Sequence, residues 1–143
     1  MNTLEHVSLL RRLGAIIYDT VLAGFSVVIV SSIPAVVFQS LTGYRVPDSV
    51  MTVGYIFLTY LFFTWFWTHG GQTLGMRAWK IKVVDNKGNL INQQQATSRF
   101  VWAIVSWISL GFGFLVSLFD KDKLAWHDRY SQTRLIFAPK KAA

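Results

Sequence analysis

The sequence predicts an all-α integral membrane protein with a single domain over residues 1–143. Hydrophobic residues make up 52% of the chain and charged residues only 15%, with a mean hydropathy of +0.39. Long apolar segments occupy residues 13–38, 50–68 and 100–119. Asp19 is the single charged residue of the first segment. A carboxylate inside a bilayer costs about 2.5–3.5 kcal/mol and usually faces a protein interior or a wet cavity, so we expect Asp19 to mark a polar interior feature.

The first apolar segment, residues 13–38, predicts a membrane-spanning helix. A helix of that length covers about 39 Å, which exceeds the roughly 30 Å hydrocarbon thickness and allows the helix to tilt. Arg11 and Arg12 precede it, but the segment is longer than the apolar region of a cleaved signal, about 7–15 residues. We therefore expect an uncleaved anchor, in which Pro34 kinks or ends the helix.

The second apolar segment, residues 50–68, has no charged residue and is rich in aromatic side chains. It predicts a second spanning helix. Trp65 and Trp67 near its end match the aromatic belt found where helices meet lipid headgroups. The sequence His69-Gly70-Gly71 then ends the helix.

Residues 69–99 predict a cytoplasmic loop, because they contain an excess of Lys and Arg over acidic residues. Thr73 is placed to cap a short amphipathic helix that runs to about Trp79. The alternation in residues 80–83 and the turn sequence at 85–89, before Leu90-Ile91, predict a β-hairpin.

The third apolar segment, residues 100–119, is either a third span or a re-entrant hairpin bent at Gly111-Phe112-Gly113. Two observations favour the hairpin. The polar tail, residues 120–143, is rich in Lys and Arg and so favours the cytoplasmic side. Residues 133–137 form a short β-like segment that pairing with the strand at 80–85 would stabilise, and such pairing requires both on one side.

The net charge of +7 and the pI near 10 do not indicate nucleic-acid binding, because the cations flank the apolar segments instead of forming a basic stripe. There is no cysteine. His6, His69 and His127 lack the spacing of a metal site, and no set of nucleophile, base and acid can be assembled. We therefore expect a protein that is not an enzyme and that has no metal or cofactor.

The order of three motifs resembles the RDD family, named for one arginine and two aspartates. Arg12 and Asp19 supply the first pair, in Arg12-Leu-Gly-Ala15-Ile-Ile-Tyr-Asp19. A central stretch, residues 71–85, and Leu124-Ala125-Trp126-His127-Asp128-Arg129 follow. The chain departs from the family at Ser131-Gln132-Thr133, where many members have a glycine before the threonine.

The resemblance implies that Arg12, Asp19 and Asp128 form the family signature, in membrane proteins suspected of transport. We therefore expect a multi-pass protein of the bacterial inner membrane with a cytoplasmic N-terminus. Arg12 and Asp19 are seven residues apart, so two helical turns place them on one face, about 10 Å apart along the axis. Arg12 would then extend toward the headgroups and leave Asp19 to another donor.

The interactions of the signature residues are predicted with alternatives. Asp19 pairs with Arg99 or Arg129, or else accepts hydrogen bonds from hydroxyls such as those of Thr20, Thr59 or Thr64. Asp128 caps the C-terminal tail or ties it to the 72–85 element by accepting backbone hydrogen bonds. His127 is a candidate pH sensor, or an ordinary polar interface residue.

Two functions are predicted from different classes. The first is transport of a small ion or solute with Asp19 as an intramembrane polar site, in a homo-oligomer because two or three helices enclose little volume. The second is a non-catalytic accessory or scaffold subunit that binds another membrane protein through its aromatic second helix. An enzyme acting on lipid has the least support.

Overall fold

The computed structural model describes residues 7–109, 111–121 and 124–138. Among these residues, helix α1 (Leu9–Thr42) and helix α2 (Asp48–His69) are the two helices long and apolar enough to cross a membrane. The prediction of two candidate spans is therefore confirmed. At 1.5 Å per residue α1 is about 51 Å long, so part of it extends beyond the hydrocarbon core.

Helix α1 does not end at Pro34, so the prediction that the proline ends the helix is wrong. The helix continues through the proline to Thr42, and Gly43, with φ of 74°, terminates it by donating its N–H to the Gln39 carbonyl oxygen at 2.9 Å. Proline is tolerated inside membrane helices because neighbouring groups can satisfy the freed carbonyl.

A small polar cap lies at the end of the helices where α1 begins and α2 ends. It contains the short helix α3 (Leu74–Ala78), strand β1 (Ile81–Asp85), helix α4 (Gln93–Ile108), which extends out of it, helix α6 (Trp126–Tyr130) and strand β2 (Thr133–Phe137). Thr73 caps α3 by accepting a hydrogen bond from the Met76 N–H. Its predicted capping role is confirmed.

The two strands pair antiparallel, with Ile81 opposite Phe137 and Asp85 opposite Thr133. The predicted addition of the C-terminal segment to the first strand is confirmed. Because the strands are hydrogen-bonded to each other, residues 81–85 and 133–137 lie on the same side of any bilayer that α1 and α2 cross.

The predicted β-hairpin is wrong in its second strand. The chain does turn after Asp85, whose N–H donates to the Asn89 carbonyl oxygen at 2.9 Å, but Leu90 and Ile91 form no strand. One edge of β1 is taken by β2, and on the other the Val83 N–H donates to the Gly71 carbonyl oxygen at 2.7 Å. Ile91 packs into the core of the cap instead.

The third apolar segment is not one straight helix. Helix α4 ends at Ile108 and helix α5 (Phe112–Phe119) follows after a break in which Gly111 has φ of 82°. A Cβ on Gly113 would lie 2.1 Å from the Ser106 Oγ, so α5 folds back against α4. The bend falls at the predicted glycines.

The core lies in the cap and at the helix ends next to it. Among the described residues, nine buried hydrophobic residues form it, and they come from just before and within the start of α1, the end of α2 and the cap: Val7, Ala15, Trp67, Met76, Ile81, Val83, Ile91, Ala96 and Leu135. In contrast, only 11% and 6% of the most apolar windows of α1 and α2 are buried. The chain therefore combines a packed cap with two helices that expose apolar surface.

Helix α1 meets the cap through a stripe at helical spacing, and α3 packs on it. The approach is closest at Gly75, where a Cβ would lie 2.5 Å from the Ala15 carbonyl oxygen and 2.8 Å from the Asp19 Cγ. Because the first of these atoms is backbone, a side chain here would push α3 off α1.

We expect Gly75→Ala to destabilise the protein by about 1–3 kcal/mol, the usual cost of an overpacked contact. Unfolding monitored by circular dichroism in detergent measures this. Gly54→Ala is the matched control, because a Cβ at Gly54 meets nothing within 4 Å. Equal stability of the two variants would contradict the close contact.

Candidate functional site

Asp128 is the centre of a buried cluster of charges. It lies at the start of α6 and is fully buried. Its Oδ2 accepts hydrogen bonds from Arg12 Nη1 at 2.8 Å and from the Ala125 N–H at 3.2 Å, and its Oδ1 accepts one from Arg99 Nη1 at 2.5 Å. One carboxylate therefore joins the first helix of the chain to α4 and to the C-terminal tail.

The two arginines make further contacts around this carboxylate. Arg99, 2% exposed, also donates to Thr133 Oγ1 at 2.7 Å and lies 5.4 Å from the centroid of the Trp67 ring. Arg12 donates through Nε to the Val7 carbonyl oxygen at 3.2 Å. These contacts extend the cluster to β2 and to the end of α2. The predicted tie from Asp128 to the 72–85 element is wrong: the backbone hydrogen bond that Asp128 accepts comes from Ala125 and caps α6, and the two arginines tie the tail to α1 and α4 instead.

The charges of the cluster determine which groups are ionised. Burial opposes ionisation of Asp128, but the positive charges of Arg99 and Arg12 outweigh that effect and hold its pKa below the usual value. Burial lowers the pKa of His127 to about 4, because the imidazolium form loses its solvation. His127 is therefore neutral at neutral pH, and the prediction that it senses pH in that range is wrong.

Asp19 forms a second contact between α1 and the cap. The Thr73 hydroxyl donates to Asp19 Oδ2, and the Gly75 N–H donates to Oδ1 at 2.8 Å. Asp19 is 3% exposed. Since the donors belong to the start of α3, the carboxylate holds that helix against the membrane helix.

The predicted pairing of Asp19 with Arg99 or Arg129 is wrong. Arg99 points into the cap toward Asp128, and Arg129 pairs with Asp120 on the outside. The alternative prediction, that a hydroxyl donates to Asp19, is correct, but the residues predicted to supply it are wrong. The Thr20 and Thr64 hydroxyls donate to carbonyl oxygens of their own helices instead. The real donor, Thr73, comes from the cap.

The same face of α1 carries both signature residues, as predicted. Arg12 and Asp19 belong to a buried stripe with Ala15, Ala23 and Val27. Each contacts a different part of the cap, Arg12 the start of α6 and Asp19 the start of α3. The signature residues therefore attach the cap to helix α1 at two separate points.

A cavity of about 670 Å³ opens between α1, α2 and α4, next to these attachments. Arg12, Asp19, Trp67, Arg99 and His127 contribute to its wall, and most of the remaining lining is apolar. Within the described ranges, no group of three or more His, Cys, Asp or Glu residues is arranged to hold a metal ion.

Sequence reasoning missed the part played by Thr73, Arg99 and Thr133. The capping position of Thr73 was predicted, but a hydroxyl that caps a helix has a second bonding direction, and this one donates to Asp19. Arg99 was recognised as a candidate partner for a carboxylate, although of the wrong aspartate. For Thr133, the sequence indicated only a position at the start of a predicted strand, and nothing pointed to a contact with an arginine.

Two apolar helices meet a small cap, and Arg12, Asp19 and Asp128 are buried where they meet. These features define an integral membrane protein in which the three signature residues attach the cap to the first helix. The chain belongs to the RDD family: the model of that family matches residues 6–132, nearly the whole chain. No curated protein and no solved structure matches it.

We expect Asp128→Asn to lower the free energy of unfolding by about 3–5 kcal/mol, because two buried guanidinium groups lose their shared counter-charge. Chemical unfolding in detergent measures this.

The control for the loss of one carboxylate is Asp48→Asn. Asp48 pairs with Arg45 at 3.0 Å, but both side chains are exposed, so its loss should cost less than about 1 kcal/mol. If the two variants unfold alike, the buried cluster does not stabilise the cap.

Proposed function

We propose that this chain is a non-catalytic accessory subunit that assembles with another membrane protein or with further copies of itself. The observation that supports this function is the occupancy of the signature carboxylates. Both oxygens of Asp19 already accept hydrogen bonds from the cap, and both oxygens of Asp128 accept them from Arg12 of α1 and Arg99 of α4. The signature residues thus hold the fold together, and the surface left for a partner is that of the membrane helices.

The surface that suits such a partner is a stripe on α2. Val53, Phe57, Leu61 and Trp65 follow one another at four-residue spacing, and each is at least 42% exposed. Residues at that spacing lie on one side of a helix, so the stripe is a continuous apolar and aromatic ridge. Membrane helices associate largely through packing, which a ridge of this kind provides.

The cap is proposed to face the cytoplasm of a bacterial cell at its inner membrane. Arg77, Lys80, Lys82 and Lys87 all lie on the cap side, with Asp85 among them. In the opposite loop, Arg45 is paired with Asp48. An excess of Lys and Arg in short loops selects the cytoplasmic side. In this orientation the bent α4–α5 pair enters the bilayer from the cytoplasm and returns to it.

The proposed orientation predicts the accessibility of single cysteines, which are unique labels because the chain has none of its own. Cysteines at Lys87, Lys121 and Gln132 should react with a membrane-impermeant maleimide from the cytoplasmic side only. A cysteine at Tyr44 should react from the other side only. A third full span would place Lys121 and Gln132 with Tyr44, and that outcome would rule out the bent pair.

Transport of a small cation or proton is the second candidate, and one observation favours it. Asp19 lines the cavity between α1, α2 and α4, where a site for an ion would lie. An intramembrane carboxylate in such a position often belongs to an ion or proton pathway. Transport requires that one of the donors to Asp19 be released for the ion to bind.

Reconstituted vesicles separate the two functions. If the chain is an accessory subunit, wild type and Asp19→Asn should show the same cation and proton flux as protein-free vesicles. Asp48→Asn is the control for loss of a carboxylate outside the cavity.

In native membranes, a photo-crosslinking residue at Phe57 should give discrete adducts, and one at Val21, which is comparably exposed on α1, should not. Flux in the wild type that Asp19→Asn abolishes while the protein stays folded would refute the accessory role and support transport.

A further inference from the structure

The cavity between α1, α2 and α4 opens at the surface of the helices. Ile56 and Ile104 line it and are 55% and 39% exposed, so its mouth lies on the outside of the chain. Most of its wall is apolar. Protein interiors are packed as densely as organic crystals. An open apolar space of this kind within a membrane is therefore filled by groups from outside the chain, either lipid chains or protein side chains.

The side chains along the wall of the cavity favour a protein occupant. Thr20 and Gly24 of α1 line it on one side, and Ala103 of α4 lines it on another. Small residues of this type let a second helix approach closely, and close packing is the main attraction between helices in a bilayer. The cavity therefore suits a ridge of large apolar side chains.

Helix α2 carries such a ridge on the side opposite the cavity. The ridge residues, each at least 42% exposed, are Val53, Phe57, Leu61 and Trp65. The residues of α2 that line the cavity at the same spacing are Tyr55, Thr59, Phe63 and Trp67. Each cavity residue follows a ridge residue by two positions, which is about 200° around a helix. The ridge of one chain therefore cannot enter its own cavity.

The ridge and the cavity lie at the same depth in the membrane. Two positions along a helix correspond to a rise of only about 3 Å. A rotation about the membrane normal changes no depth and leaves every cap on the same side of the bilayer. Such a rotation therefore brings the ridge of one copy level with the cavity of the next copy, a match that follows because both surfaces belong to one helix.

We propose that copies of this chain associate head to tail, with the α2 ridge of one copy in the cavity between α1, α2 and α4 of the next. This association rests on the proposed accessory function and names a second copy of the chain as the partner at the ridge.

The opposite placement of ridge and cavity determines the kind of assembly. In a two-fold dimer each chain would have to present both surfaces toward the same neighbour, which surfaces about 200° apart on α2 do not allow. A head-to-tail contact instead forms a ring when its rotation closes. The assembly is therefore a closed ring of three or more chains in the plane of the membrane.

Cysteine cross-linking tests the contact, because the chain has no cysteine of its own. In the double variant Phe57→Cys/Thr59→Cys, the two sulfurs lie on opposite sides of α2, so a short bismaleimide cannot join them within one chain. The purified variant in phosphatidylethanolamine–phosphatidylglycerol vesicles should give a ladder of cross-linked species that ends at a fixed number of chains, three or more.

The controls separate this contact from random collision. Phe57→Cys alone and Thr59→Cys alone should give no cross-linked dimer, because neither two ridges nor two cavities meet. The pair Phe57→Cys/Val21→Cys should also remain uncross-linked. Val21 is 66% exposed on α1 but is not among the residues that line the cavity.

Filling the cavity should abolish the assembly. Gly24 lines the cavity, and a Cβ there meets nothing within 4 Å, so Gly24→Phe adds a ring without a clash inside the chain. Val21→Phe adds the same side chain on another face of α1 and is the control. Native mass spectrometry in detergent should show one oligomer for the wild type and for Val21→Phe, and only monomer for Gly24→Phe.

A monomeric wild type, with or without bound lipid, would overturn the proposal, as would a dimer cross-linked through either single cysteine. An unchanged oligomer in Gly24→Phe would also overturn it, and if that variant does not fold, the cross-linked ladder decides. In native membranes, adducts of Phe57 with a different protein and no ladder would refute the ring but leave the accessory function standing.

Discussion

The structure depends on one buried carboxylate shared by two arginines. Asp128 binds Arg12 from the first helix and Arg99 from the fourth, and it also caps the short helix on which it lies. Burying charges is costly, and a buried pair is tolerated only when its geometry is good and its remaining hydrogen bonds are made. Because the three residues come from distant parts of the chain, this requirement positions the start of α1, the start of α4 and the C-terminal tail together.

The second attachment, at Asp19, explains why a carboxylate lies in an apolar helix. The cap must approach α1 closely at Gly75, and the start of α3 there presents a hydroxyl and a backbone N–H that need an acceptor. Asp19 supplies it. The two attachments fix the cap at two points along one helix, so that the cap acts as a rigid support for α1, α2 and α4. The cavity between those helices lies next to both attachments.

Much of the fold followed from local sequence patterns. Length and composition predicted the two spans, and Thr73 predicted the capped helix α3. Gly111 and Gly113 predicted the bend. Alternating residues in two segments expected on the same side of the bilayer predicted the paired strands. The expected hairpin was wrong because Leu90 and Ile91 have the composition of a strand but no free edge to join. Local pattern does not show whether an edge is already occupied. Pro34 was misleading for a similar reason, since helix continuation depends on surroundings that the sequence does not display.

By itself the sequence determined the membrane class, the family, the residues of the signature and the common face of Arg12 and Asp19. These depend on composition, motif order and helical period, which are properties of neighbouring residues. Only the tertiary structure decided which arginine meets which aspartate, that Thr73 and Gly75 serve Asp19, and that Trp67 and Arg99 meet at one end of a cavity. Such contacts join residues as many as 116 positions apart. Their choice among chemically equivalent partners is made by distance in the folded chain, because hydrogen bonds and buried ion pairs act only over a few ångströms.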